Sequence, residues 1–217
     1  MKKIGKIHVI VKQGNIALEN VDCIVIPRTQ NGLPYGELAN SIKSHGMENG
    51  LKAYDEIASQ LPFPYGEEMV VPSGKEGIML SNVSVIGAHT NQQFYAVAKA
   101  VLQSLTSADA LGAKTVAIPE LGTGDTGKFT PEQAAQVVLY GVEMFDTICV
   151  ENTIQEVRLV TTGSNALAQK VLTEKSYCNI QPKKGQKKFD LYIWIKEIKK
   201  HRDEQRKKSW EETKRQE

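Results

Sequence analysis

The chain is poor in aromatics, which make up 6% of its 217 residues, and it holds only three cysteines. No apolar run approaches the roughly 18 residues that a membrane-spanning helix needs, so no membrane partner is expected. Cys23, Cys149 and Cys178 form no C-x-x-C pair, and the first two sit in apolar company. Buried, reduced thiols of a cytoplasmic protein are the expectation. No cluster of His, Cys and acids has metal-ligand spacing. The N-terminal MKKIGKIHVIVKQGN carries two lysines, but its apolar run is short and broken by His8 and Lys12. It reads as a strand rather than a signal peptide.

What is present is ordinary for a globular domain: 41% apolar and 24% charged residues. The length suits one domain plus an extension. The net charge of +2 is unevenly spread. Residues 183–217 hold 13 Lys/Arg and 7 Asp/Glu, or +6; the remaining 14 and 18 give −4. The acidic body offers no basic stripe for nucleic acid.

Strand-like and helix-like segments alternate. Residues 4–12, 21–27, 67–74, 82–89, 115–121 and 156–163 are rich in Val and Ile and read as strands. Helices are predicted over 37–46, from 47 onward, and over 92–112, 131–145 and 165–175. In the third of these, Val97, Val101, Leu105, Ala108 and Leu111 recur at helical spacing. This order defines an α/β layered fold, in which ligands sit beyond the carboxyl ends of the strands. Beyond Gln181 a charged linker leads to a segment with apolar residues only at its start, Phe189 to Ile198. Two parts are therefore expected: a domain over 1–177, and a linker with a basic helix over 178–217. The extension reads as docking through its first turns, as a protein-binding helix over 189–217, or as a membrane-surface helix disfavoured by its acids.

One loop stands out, 118-IPELGTGDTGKFTPEQAA-135. Gly122 to Gly127 satisfies G-x-G-x-x-G, and Lys128 extends it toward G-x-x-x-x-G-K. A Walker loop needs Ser or Thr next to hold magnesium, and Phe129 stands there. A dinucleotide-binding turn opens directly into its helix, whereas Thr130, Pro131 and Gln133 cap a helix three residues later. It also needs an acid after the next strand, which ends here in Thr-Thr-Gly. A plain glycine-rich connection remains possible. The third phosphate-binding reading is a nest, in which successive backbone N–H groups converge on a diphosphate and the glycines permit close approach.

With that loop, the sequence over residues 4–175 resembles a macro domain, the ADP-ribose-binding α/β/α module. QGNI (13–16), VDCIVIPRT (21–29), the stretch from Thr29 to Ile42, Gly77 to Leu80, and IPELGTGDTG (118–127) come in family order. The resemblance implies a three-layer α/β/α sandwich with a central mixed sheet, extended here by a C-terminal helix. It implies that Asn15 meets the adenine amino group and that Ile16 packs on the base. Gly122, Thr123, Gly124, Asp125, Thr126 and Gly127 would wrap the diphosphate and distal ribose, and Phe129 would cover that ribose unless it packs in the core. Thr29, Gly36 and Leu38 fall in the first ligand loop. Gly77 to Leu80 would be the small turn before the central strand.

The departures bear on activity. Thr29 replaces the asparagine that orients the distal ribose in the commonest hydrolases, and the catalytic aspartate of the first loop falls on Ala39. Tyr35 and Glu37 add bulk and charge beside the diphosphate unless Arg28 or Lys43 neutralises them. A second macro-type chemistry pairs a lysine with an aspartate, and Lys43 and Asp125 lie near those places. The alternatives are a surface lysine and a nest residue. His89 is expected to end a strand on the ligand side, and His45 to close a helix against its dipole. Three functions follow from the resemblance: binding of ADP-ribose or a related nucleotide, free or on an ADP-ribosylated protein; ADP-ribosyl hydrolysis by Asp125 and Lys43 or Glu37; and an interaction scaffold whose pocket has closed, acting through 189–217. No cofactor is implied.

Overall fold

The computed structural model describes residues 1–33, 35–88, 90–124, 127 and 129–163. The helix expected at 165–175, Cys178 and the whole 178–217 extension lie outside the described residues.

Seven strands form one mixed sheet: β1 (Lys2–Ile4), β2 (Ile7–Gln13), β3 (Cys23–Arg28), β4 (Glu68–Pro72), β5 (Met79–Ser84), β6 (Thr115–Pro119) and β7 (Glu156–Thr161), in the order β1-β2-β7-β6-β3-β5-β4. The middle strands run parallel, and β1 and β4 close the two edges antiparallel. Four helices, α1 (Glu37–Ser44), α2 (Glu48–Ala58), α3 (Thr90–Ala110) and α4 (Pro131–Ile148), join them. The result is the expected α/β/α sandwich.

Its two cores follow from strand alternation. In β3, Cys23 and Val25 point into the larger core, with α3 and α4, and Ile24 and Ile26 into the smaller one, with α1 and α2. Such a strand, buried on both faces, needs a continuous apolar run. In β2 only Ile7, Val9 and Val11 are buried, and the half-buried His8, Ile10 and Lys12 alternate with them. Cys23 and Cys149 are buried free thiols. Burial pushes the Cys23 thiol up to about 12, so it is inert.

Three strand expectations need correction. Residues 4–12 form two strands rather than one, because Gly5, at φ +53, turns the chain into a β1–β2 hairpin. The strand expected at 82–89 spans 79–84, so it begins just after Gly77 and ends well before His89, which lies outside the described residues. That strand is also not central: β5 is second from the β4 edge, and β6 holds the middle of the sheet.

The topology leaves one opening. The chain leaves β3 toward β5 and leaves β6 toward β7, on opposite sides. This is a topological switch point, where open α/β sheets form a crevice. The ladder records it directly. β3 and β6 pair only at Cys23–Val116 and Ile24–Ala117, while β3 stays with β5 to Arg28 and β6 with β7 to Pro119. Each strand carries a proline beyond that parting, Pro27 and Pro119, and proline has no N–H to give a ladder.

Candidate functional site

Three connections leave the carboxyl ends of the strands near the parting of β3 from β6. The first follows β6. Leu121, fully buried, anchors its start, and Phe129, half-buried against the larger core, anchors its end. Gly122 has φ +86, a conformation that favours glycine. Its carbonyl accepts the Phe129 N–H at 3.1 Å and the Gln93 side-chain N–H at 3.0 Å. Gly127 lies against Gly122 and donates its N–H to Gly124 O at 2.6 Å. The Thr123 hydroxyl turns inward to the Glu120 carbonyl at 2.8 Å. Gly124 is exposed, with open space where a side chain would be. The described part of the loop is thus braced by Gln93 and Phe129, with Gly124 exposed. Asp125, Thr126 and Lys128 lie outside the described residues. The helix begins where its capping signals place it: Thr130 and Gln133 form a reciprocal capping box around Pro131.

The second connection follows β2. Gly14 donates to Thr161 O at 2.9 Å. Asn15 caps a single 3-10 turn (Ile16–Leu18), its side-chain oxygen accepting from Ala17 N at 3.0 Å and from the Ser41 hydroxyl at 3.0 Å. That acceptor is therefore engaged in the free protein, and what Asn15 leaves open is its amide N–H2. Ile16 is buried in the smaller core, leaving 4% exposed.

The third connection follows β3. Arg28 ends that strand 2% exposed. Its guanidinium pairs with Asp55 of α2 and lies 5.0 and 5.1 Å from the Tyr35 and Tyr54 ring centres. The Tyr35 hydroxyl donates to the other Asp55 oxygen at 2.7 Å. Burial first, and then Asp55, push Tyr35 up to about 12, so it stays a donor. The Tyr54 hydroxyl donates to Thr29 O at 2.9 Å, and the Thr29 hydroxyl bonds Gly32 O. These contacts pin Thr29 and Tyr35 to α2. Gly36 then caps α1 with its carbonyl accepting Asn40 N, and Leu38 packs on the smaller core. Glu37 is exposed. Lys43 pairs with Glu48 at 3.1 Å and lies 5.8 Å from the Tyr35 ring centre. Arg28 and Lys43 thus meet Asp55 and Glu48, neither of which the sequence pointed to. His45 caps α1, its ring nitrogen 2.7 Å from Ser41 O.

The structure adds one residue beside the glycine loop that sequence reasoning passed over. Glu120 follows β6 directly, and burial raises its carboxyl above the usual range against the Thr161 hydroxyl, which lowers it. The signal was legible: a carboxylic acid two residues ahead of a loop suited to anions. Among the described residues no group of His, Cys, Asp and Glu is placed to hold a metal ion, and no helix is long and apolar enough to cross a membrane.

A mixed seven-stranded sheet with helices on both faces and a braced glycine-rich loop after β6 defines an α/β/α sandwich. The Macro domain profile matches residues 26–138. The chain belongs to that family. An uncharacterized protein of Aquifex aeolicus is 32% identical over 150 residues, 66% of this chain and 86% of its own. Among solved structures, the Oceanobacillus iheyensis macrodomain with ADP superposes with a TM-score of 0.68 at 20% identity, covering 78% of this chain and 92% of that one. The Trypanosoma brucei macrodomain in complex with ADP-ribose gives 0.60 at 16%, covering 76% and 67%. At those identities the likeness establishes the fold.

Proposed function

We propose that the chain binds ADP-ribose or a closely related nucleotide in the β3–β6 crevice. The diphosphate lies on the loop from Gly122 to Gly127, and the base lies toward Asn15 and Ile16. One observation carries the reading: the two strands part after Ile24 and Ala117, and a glycine loop braced by Gln93 and Phe129 leaves at that point. Glycine-rich turns between a strand and a helix are suited to receiving an anion on backbone N–H groups. Thr29, Gly36 and Leu38 border the far side. The Oceanobacillus iheyensis macrodomain with ADP and the Trypanosoma brucei macrodomain with ADP-ribose support the same ligand class. The target is free nucleotide or an ADP-ribosylated protein. The buried thiols Cys23 and Cys149 support a reducing, cytoplasmic setting.

Calorimetry with ADP-ribose, AMP and NAD tests this. ADP-ribose should bind in the micromolar range and AMP much more weakly. Gly124→Glu should leave folding unchanged, since that position is open, and abolish binding by placing a carboxylate at the diphosphate. Retained affinity would remove the loop from the site. Hydrolysis by Asp125 and Lys43 is the runner-up, and the Lys43–Glu48 pair does not favour it. Loss of turnover in Asp125→Ala with binding kept would revive it.

A further inference from the structure

Tyr35 is the residue expected to crowd the diphosphate, and the structure turns it elsewhere. Its hydroxyl donates to Asp55 of α2 at 2.7 Å. α2 packs on the β5–β4 half of the sheet. There Gly50 lies against Leu80, donates its N–H to Ser73 O at 3.4 Å, and accepts the Asn82 side-chain N–H at 3.1 Å. β5 flanks β3 on the side away from β6. The Tyr35 ring is therefore drawn off the parting of β3 from β6, and it packs on the smaller core.

What draws it there is one buried ion pair. Arg28 ends β3 on the same face as Ile24 and Ile26, beneath α1 and α2. At 2% exposure its charge needs a carboxylate close by. Asp55 supplies it, while the Arg28 Nη1 makes no hydrogen bond. The Tyr35 ring covers the guanidinium at 5.0 Å, with the Lys43 ammonium 5.8 Å from the same ring. Asp55 also meets the earlier part of this loop. A Cβ at Gly32 would collide with its carboxyl, and Gly32 passes it at φ +86. Both Asp55 oxygens are thus engaged, one by Arg28 and one by Tyr35. A buried ion pair adds little stability over well-packed apolar side chains. What this pair adds is a fixed place for a tyrosine hydroxyl.

We propose that Arg28 and Asp55 are positioning residues for the nucleotide site: together they hold the Tyr35 ring against α2 and so keep the first loop clear of the β3–β6 crevice. This rests on the nucleotide reading above. Once released, the ring is free to enter the crevice, and the apparent Kd rises in inverse proportion to the fraction of molecules left open. A hydrogen bond to a carboxylate is worth about tenfold or more in such an equilibrium.

The test is an order of affinities, measured by calorimetry with ADP-ribose on the full chain. Tyr35→Phe keeps a ring and loses its tie, whereas Tyr35→Ala has no ring to misplace. Tyr35→Ala should bind within about threefold of the wild type, and Tyr35→Phe more weakly by roughly threefold to tenfold. Asp55→Asn should weaken binding in the same way, and adding Tyr35→Ala to it should restore most of the affinity. A merely structural role predicts the reverse, because alanine removes more packing than phenylalanine and the double variant would be weaker still. Tyr35→Ala binding more weakly than Tyr35→Phe, or indistinguishable affinities throughout, would overturn the proposal. Urea unfolding checks that Asp55→Asn is folded; if it is not, the Tyr35 series decides alone. A ligand-free arm separates the two readings. Nitration of Tyr35 by tetranitromethane, read by mass spectrometry, should run severalfold faster in folded Asp55→Asn than in the wild type, and equal rates would refute the latch. If nitration responds but ADP-ribose binds none of the proteins, wild type included, the nucleotide reading has failed and the role in binding falls with it.

Discussion

Gly127→Ala puts the glycine loop to its most direct trial. A Cβ at position 127 would stand 2.9 Å from Thr123 N, with the Gly122 carbonyl nearer still. Those neighbours are backbone atoms, so no rotamer relieves the clash. Heavy-atom contacts settle near 3.5 Å, so the two sides of the loop must open by about 1.5 Å. That strains three bonds together: Gly127 N to Gly124 O, Phe129 N to Gly122 O, and Gln93 to the same carbonyl. At about 1 kcal/mol each, reduced because the loop is partly wet, the loss in stability is roughly 1–2 kcal/mol. Binding should suffer more, because N–H groups aimed at a diphosphate are charge-assisted and lose their convergence. One such bond is worth about 1.5–3 kcal/mol, so the ADP-ribose Kd should rise at least about tenfold. Calorimetry gives the affinity and urea unfolding the stability. Gly124→Ala is the control, since it meets nothing in the free protein and has no need of a left-handed backbone. Wild-type affinity in Gly127→Ala would refute the idea that this loop geometry receives the phosphates.

Three further outcomes follow from the contacts. Asp55→Ala leaves the Arg28 guanidinium buried without its partner and frees Tyr35; unfolding should show a loss of about 3 kcal/mol. Thr130→Ala removes the α4 cap and should cost about 1 kcal/mol by the same measurement. Burial alone would raise Asp22, but the Lys114 and Thr115 N–H groups and the Thr115 hydroxyl hold it below its ordinary 3.8. Its contribution is present above the unfolded value and is lost as pH falls through the folded one, so Asp22→Asn should flatten the acid limb of a stability–pH curve.

Most of the elements were legible in the sequence because their signals are local. Alternating apolar residues mark β2, the continuous run in TVAIP marks β6, and Thr130-Pro131 with Gln133 marks where α4 starts. The errors fell where one residue or a register decides. Gly5 split the first strand, and the start of β5 depended on its pairing with β3 rather than on its own composition.

The sequence by itself determined the layered α/β order, the buried strands, and a capped helix behind a glycine-rich loop. Periodicity, propensity and capping act over a few residues, so they can be read along the chain. Only the tertiary structure decided what that loop faces. The parting of β3 from β6 is a fact of ladder register. Arg28 with Asp55 and Gln93 with Gly122 join segments 27 and 29 residues apart. Such pairings depend on which strand ends lie side by side, and no local pattern encodes that.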